Sequence, residues 1–248
     1  MLKAFLFDMD GVLFDSMKNH AEAWYQVMGE HYGFACDRTV FYLFEGSTGQ
    51  QTIDAFFVEQ RGRHATPHEI ETIYAEKSQC FTQLGSARPM PGAADVLRKV
   101  SEHGWKRLLV TGSGQPSLIQ KLQNTYYGVF SPETIVWGKD CPIGHGKPHP
   151  DPYLIGLRKA AGIQEPVDWA TADVTKGFGG LLPSEAIVVE NAPMGVQAAK
   201  AAGIRTIAVN TGPLDDIILS DAGADIVLSG MVELADRFDE VIALVTSR

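Results

Sequence analysis

Residues 4–15 read AFLFDMDGVLFD. Four apolar residues run straight into Asp8, a second acid follows at Asp10, and a further apolar stretch ends at Asp15. A short, nearly continuous apolar run is the pattern of a strand buried on both faces. Such a strand would deliver two carboxylates, one residue apart, to its carboxyl end. Like charges that close repel, and burial sharpens the cost, so the stretch implies a compensating cation.

Four more apolar runs follow: RLLVTGSG (107–114), AIVVEN (186–191), TIAVNTG (206–212) and ADIVL (224–228). Helical patterns alternate with them at AADVLRKVSEHG (93–104), PSLIQKLQNTY (116–126), DPYLIGLRKAAG (151–162) and MGVQAAKAAG (194–203). Three of these end in Gly, where a helix stop is expected. The alternation predicts an α/β fold with a doubly wound parallel sheet, Rossmann-like, covered on both faces. Residues 16–87 break the rhythm with three helical segments and no buried strand, and TPHE at 66–69 is a capping box. They read as a helical cap domain inserted into a core formed by residues 1–15 and 88–248, with RPMPGA (88–93) marking the return. The glycine-rich stretch 168–185 reads as an irregular excursion.

At 248 residues the chain exceeds the usual single-domain size, and 45% hydrophobic with 21% charged residues is ordinary for a soluble protein. A formal net charge of −9 repels phosphate backbones, so neither nucleic acid nor an anionic membrane is expected as partner. The three cysteines, Cys36, Cys80 and Cys141, are odd in number and unpaired in spacing, which argues against a disulfide framework and for a reducing cytoplasm. The start lacks a signal-peptide core, and no apolar run approaches the ~20 residues of a membrane span. A cytoplasmic monomer or weak homo-oligomer is expected.

Ligands of doubly wound sheets gather at the carboxyl ends of the strands. Here the runs end in Asp8 and Asp10, in Thr111, Gly112 and Ser113, and in Glu190 and Asn191, while Lys147 precedes a helix in GKPHPDP. A lone acid after a strand is most simply a turn residue, but three strands ending in reactive groups form a constellation. A divalent cation with oxygen ligands, most simply magnesium, would compensate the acids.

Together DMDGVLFDS, VTGSG, GKPHPDPY and VVENAPMGVQAAKAAG resemble the four motifs of the haloacid dehalogenase superfamily of phosphotransferases. That resemblance implies Asp8 as the nucleophile that forms an aspartyl-phosphate and Asp10 as general acid, then base. It implies Thr111 with the amides near Gly112 and Ser113 as phosphoryl holders, and Lys147 as the neutralising cation. Magnesium would sit among the Asp8 carboxylate, the Asp10 carbonyl, Glu190 and Asn191. Asn191 departs from the family's usual Asp and carries one negative charge fewer.

Within the superfamily the chain resembles the β-phosphoglucomutase-like subfamily, through DGVLFDSMKNHAEAW with Asp15, Ser16 and His20, and through Lys77 in AEKSQC. His20 and Lys77 are then expected to couple cap closure to the general acid. The cap loop LFEGSTGQ has Gly49 where the mutases carry an arginine for a second phosphate, and Gly114 stands where they carry a lysine. Glu45 in that loop would repel an anionic sugar but could bind water on a metal. The implied function is magnesium-dependent phosphohydrolysis of a small phosphorylated metabolite or inorganic pyrophosphate. The alternatives are a β-phosphoglucomutase and, from another class, a non-catalytic phospholigand-binding module. Arg61, Arg63 and His64 read as solvated surface and the four tryptophans as packing residues. His145 and His149 flank Lys147 in a loop too irregular to predict a metal site.

Overall fold

The computed structural model describes residues 1–112 and 116–247. Strand β1 (Ala4–Phe7) leads through β2 (Phe14–Asp15) into helices α1 (Met17–Trp24), α2 (Val40–Leu43), α3 (Gly49–Arg61) and α4 (Pro67–Gln83), and β3 (Arg88–Pro89) brings the chain back. Next come α5 (Ala93–Glu102), β4 (Lys106–Thr111), α6 (Pro116–Thr125), β5 (Ile135–Trp137), α7 (Asp151–Ala160), β6 (Ala186–Glu190), α8 (Pro193–Ala201) and β7 (Arg205–Val209). Helix α9 (Asp216–Asp221), β8 (Ile226–Leu228), α10 (Met231–Asp236) and α11 (Phe238–Thr246) follow.

Six strands form one sheet in the order β5-β4-β1-β6-β7-β8, every neighbour parallel. The chain winds outward from β1 in one direction, then returns to wind in the other. The switch falls at β1, where an open α/β sheet opens its ligand crevice. Side chains alternate between faces with a period of two. Phe5, Phe7, Leu109, Ile187 and Val189 share a core with Val96, Leu234 and Val241 of α5, α10 and α11. Leu6, Leu108, Val110 and Val188 share the opposite core with Tyr153 and Leu157 of α7 and Ala198 of α8. The doubly wound architecture expected from the apolar runs is therefore the one observed.

The helices between β2 and β3 have a core of their own, in which Trp24, Met28, Phe41, Ile53, Phe56, Phe57 and Ile73 are buried together. The capping box at α4 forms: Thr66 N–H donates to Glu69 Oε2 at 2.8 Å, and Glu69 N–H to Thr66 Oγ1 at 3.2 Å. Chain entry and exit are side by side, because β2 and β3 pair antiparallel and Met90 N–H donates to Leu13 O at 2.9 Å. Among the described helices none is long and apolar enough to cross a membrane.

Some elements, or their exact type, escaped the sequence reading. Strand β5 has three residues at the sheet edge, too short for a periodic signal. Helix α1 runs on as a π-helical segment, Tyr25–His31, and the short α2, α9, α10 and α11 were not assigned. Residues 168–185 are irregular as expected, with only 3₁₀ turns at Val174–Lys176 and Pro183–Glu185.

Helix α7 approaches the sheet closely at Gly156, where a Cβ would lie 2.5 Å from Leu6 Cδ2 and 3.3 Å from Val110 Cγ2. A Gly156→Val substitution should push α7 off the sheet and cost about 1–3 kcal/mol, the usual penalty of overpacking. Denaturant unfolding checks this; an unchanged midpoint would show that the helix has room.

Candidate active site

Register sets the site. Phe7 stands opposite Leu109 on one side and Val189 on the other, so Asp8 emerges level with Val110 and Glu190. Its N–H donates to Val189 O at 3.0 Å. Gly11, at φ +83°, then turns the chain back, and a Cβ there would collide with Asn191. Thr211 Oγ1 steadies the turn by donating to Gly11 O at 2.8 Å.

Lys147, 1% exposed, reaches into this edge from the loop before α7. Its ammonium donates to Asp8 Oδ1 at 2.5 Å, Glu190 Oε1 at 2.5 Å and Val110 O at 3.0 Å. Burial alone would drive its proton off, but the Asp8 and Glu190 charges hold it on and raise its pKa. Tyr153 also donates to Glu190 Oε1, at 2.7 Å, while the N–H groups of Asn191 and Ala192 donate to Oε2 at 3.0 and 3.2 Å. Asp8 is pushed up to about 8 by burial, against the pull of Lys147 and with further push from Glu190 and Asp10. Thr111 is buried at the end of β4, beside Gly112; Ser113 and Gly114 lie outside the described residues.

Asp10 belongs to a second cluster. Ser16 Oγ donates to its Oδ1 at 2.5 Å, and His20 Nε2 lies 3.2 Å from the same oxygen. Lys77 Nζ lies 2.6 Å from His20 Nδ1. An ammonium can only donate, so it fixes the tautomer: Nδ1 accepts, and Nε2 carries the proton toward Asp10. Burial would raise the Asp10 carboxyl, but His20, Ser16 and Lys77 outweigh it and lower the pKa. Lys77 is 3% exposed, seated 5.1 Å from the ring centroids of Trp24 and of Phe81, and His20 stacks on Phe81. Burial brings Lys77 down to about 8.

The loop before α3 closes over both clusters. Glu45 is buried and accepts a 2.9 Å hydrogen bond from Asn191 Nδ2. Burial, with Asp8, Asp10 and Glu190 nearby, pushes its carboxyl well above the usual range. Gly46 O would lie 2.6 Å from a Cβ at Gly112, so only a glycine lets the two loops meet. At Gly49, the first residue of α3, a Cβ would lie 2.2 Å from the Tyr74 ring. The space that an arginine would use is filled by that ring. A cavity of about 70 Å³ remains, lined by Asp8, Asp10, Thr111 and Gly112 from the sheet edge and by His20, Glu45, Ser47 and Lys77 from the helical insert.

The residues fit a divalent cation. Asn191 Oδ1 is buried with no hydrogen-bond partner, and Asp8 and Glu190 share the one ammonium of Lys147. All the core residues expected from the sequence converge except the undescribed Ser113, and Glu45, His20 and Lys77 join them. Ser16, Tyr153 and the Glu45–Asn191 bond were not foreseen as parts of the site. Tyr153 lay in plain sight in the DPY of the third motif, yet nothing in its spacing gave its partner.

The family profile "Haloacid dehalogenase-like hydrolase" matches residues 5–209. This chain belongs to that family, and it is an enzyme of the phosphatase and phosphotransferase type. It is 28% identical over 232 residues to Hexitol phosphatase A of Escherichia coli (strain K12), covering 94% of this chain and 93% of that protein. It is also 28% identical over 204 residues to the Escherichia coli Fructose-1-phosphate phosphatase YqaB, covering 82% and 94%. A solved structure from Bacteroides vulgatus, provisionally named a beta-phosphoglucomutase, superimposes with a TM-score of 0.84 and 41% identity over 98% of this chain and 90% of that one.

The relay makes a signed prediction about His20. Its pKa is lowered first by burial and then by the Lys77 charge, while Asp10 works upward. Lys77→Met should therefore raise the His20 pKa, and Asp10→Asn should lower it further. Imidazole proton NMR across a pH titration reads both shifts, and a shift of opposite sign in either variant would refute this charge arrangement around His20.

Proposed function

We propose that the enzyme hydrolyses a small phosphate compound, a phosphorylated sugar or polyol or inorganic pyrophosphate, through an aspartyl-phosphate on Asp8. The observation that carries this reading is the small cavity of about 70 Å³, with Asp8 and Thr111 at one end and no spare cation at the other. Among the described residues lining it, Lys77 is the one cation, and it is already engaged with His20. A bisphosphate would bring a second dianion with no counter-charge, where a bidentate arginine is the usual solution.

Asp8 stands at the switch point, aimed by β1, and would attack phosphorus. Lys147 orients it and offsets phosphoryl charge. Thr111 and the backbone at Gly112 would receive the phosphoryl oxygens. Asp10 starts ionised, the state that the base needs for the second displacement. The acid form required first is favoured once a phosphoryl dianion lies beside it, because a like charge raises a carboxyl pKa. Residues 16–87 act as the cap, and closure brings His20 and Lys77 to Asp10. Asp8, the Asp10 carbonyl, Glu190 and Asn191 would hold magnesium, with Asn191 Oδ1 the open buried acceptor. When bound, that ion supplies positive charge to the phosphoryl oxygens and screens Asp8 from the substrate. The names of the Escherichia coli relatives favour sugar and polyol phosphates.

The Asp10–His20–Lys77 chain also favours a second reading, a phosphomutase. A panel of sugar and polyol phosphates plus pyrophosphate, assayed with magnesium, tests the first reading. Phosphate should be released from at least one member, and Asp8→Asn should abolish release. Incubation with β-glucose 1-phosphate and a bisphosphate primer separates the two. Glucose 6-phosphate formed faster than phosphate would establish the mutase, and silence across the whole panel would leave a binding module.

Two substitutions probe selectivity. Asn191→Asp should tighten the apparent magnesium affinity several-fold by adding a hard anionic ligand, while weakening the loop contact to Glu45; magnesium titration of phosphate release reads it. Gly49→Arg should lower activity on every substrate, since the side chain meets Tyr74, rather than create bisphosphate binding.

A further inference from the structure

The loop that delivers Lys147 carries a second cluster. His145 and His149 bracket Lys147 in sequence, their ring centroids are 4.4 Å apart, and both face Asp151, the first residue of α7. Asp151 is fully buried, whereas the two imidazoles are half-buried and open to solvent. His145 Nδ1 lies 2.8 Å from Asp151 Oδ2, and His149 Nδ1 lies 3.0 Å from Asp151 Oδ1.

One oxygen stands out. Asp151 Oδ1 is buried and has no hydrogen-bond partner, despite the imidazole nitrogen 3.0 Å away. That nitrogen instead accepts the Asp151 backbone N–H, at 3.4 Å. A ring nitrogen that accepts a hydrogen bond carries a lone pair there and cannot also donate from the same atom. The one lone pair of His149 Nδ1 is turned to the Asp151 N–H in a long hydrogen bond that a cation could replace, and the buried Asp151 Oδ1 is left with no donor. A cation between the two would satisfy that oxygen. A metal bonded to imidazole nitrogen and carboxylate oxygen at about 2.0–2.2 Å keeps neighbouring ligand atoms roughly 3–3.5 Å apart; the His149 pair, at 3.0 Å, already stands at that spacing, and the His145 pair, hydrogen-bonded at 2.8 Å, is a little tighter. One ligand atom from each residue lies within 4.8 Å of the others.

We propose that His145, His149 and Asp151 bind a transition-metal dication of the zinc class, at a site separate from the oxygen-ligand site at Asp8. Imidazole with carboxylate suits zinc-like ions, and carbonyl with carboxylate suits magnesium, so the two sites differ in donor chemistry as well as position. Three protein ligands leave room for water, and the solvent-open imidazoles give the ion a way in. Bound there, the ion would fasten the loop at its two histidines to the start of α7, on either side of the residue that holds Asp8. The irregular sequence spacing hides the site because its ligands meet through a loop rather than along one helix face.

Zinc titration of untagged, chelator-treated protein tests this, with magnesium in excess to hold the oxygen-ligand site. The wild type should take up one equivalent of zinc. His145→Gln and His149→Gln, singly, should each weaken it by more than the ~10–100-fold that outer partners of a metal ligand are worth. Asp8→Asn should bind zinc as the wild type does. With cobalt as probe, a visible absorption band should appear in the wild type and in Asp8→Asn and be lost in the histidine variants. Circular dichroism of the half-exposed histidine variants verifies folding. No zinc uptake, uptake unaffected by both histidine changes, or uptake abolished by Asp8→Asn would each overturn the proposal.

Discussion

A single buried ammonium organises this molecule. Lys147 binds Asp8, Glu190 and the carbonyl of Val110 at once, and so ties three adjacent strands of the sheet at their carboxyl ends. Burying a charge is costly unless it is paired and hydrogen-bonded, and here every donor of the ammonium has an anionic or carbonyl acceptor. The same arrangement leaves more carboxylate than ammonium. That excess is tolerable in a resting protein only if carboxyls stay protonated or a cation arrives, and it gives the site its appetite for positive charge.

A second ammonium, Lys77, works by the opposite logic. Among the described residues it has no carboxylate within hydrogen-bonding distance, and it sits against aromatic faces, bonded to an imidazole. Its influence passes through His20 to Asp10, while a separate loop of the helical insert meets Gly112 through Gly46 and Asn191 through Glu45. One lysine thus holds charge in place, and the other sets a tautomer.

How much of this was legible in the sequence depends on the kind of information. Asp8, Asp10, Glu190 and Asn191 end apolar runs, so strand pattern alone brought them to one edge, and the order of strands in a doubly wound sheet did the rest. Contacts between distant loops were beyond it. The Glu45–Asn191 bond joins residues 146 positions apart, and the ring of Tyr74 fills the space at Gly49 from a different helix. The sequence marked those positions as departures from a motif, and only packing showed what replaced the missing side chains. Strand β5 was missed for a local reason, since three residues carry no period; the helical pattern over residues 16–33 covered Tyr25–His31 but could not tell its π-turn from α-helix.

The ribbon of β2 and β3 has a mechanical meaning. A domain hung on one strand can swivel freely, and one hung on two separate strands can shear. Here the two crossings are bonded to each other, so they bend together or not at all. Any relative motion of the two parts would be channelled through that one ribbon. A loop carried on such a ribbon would keep one line of approach, and the close fit of Gly46 against Gly112 leaves little tolerance for any other.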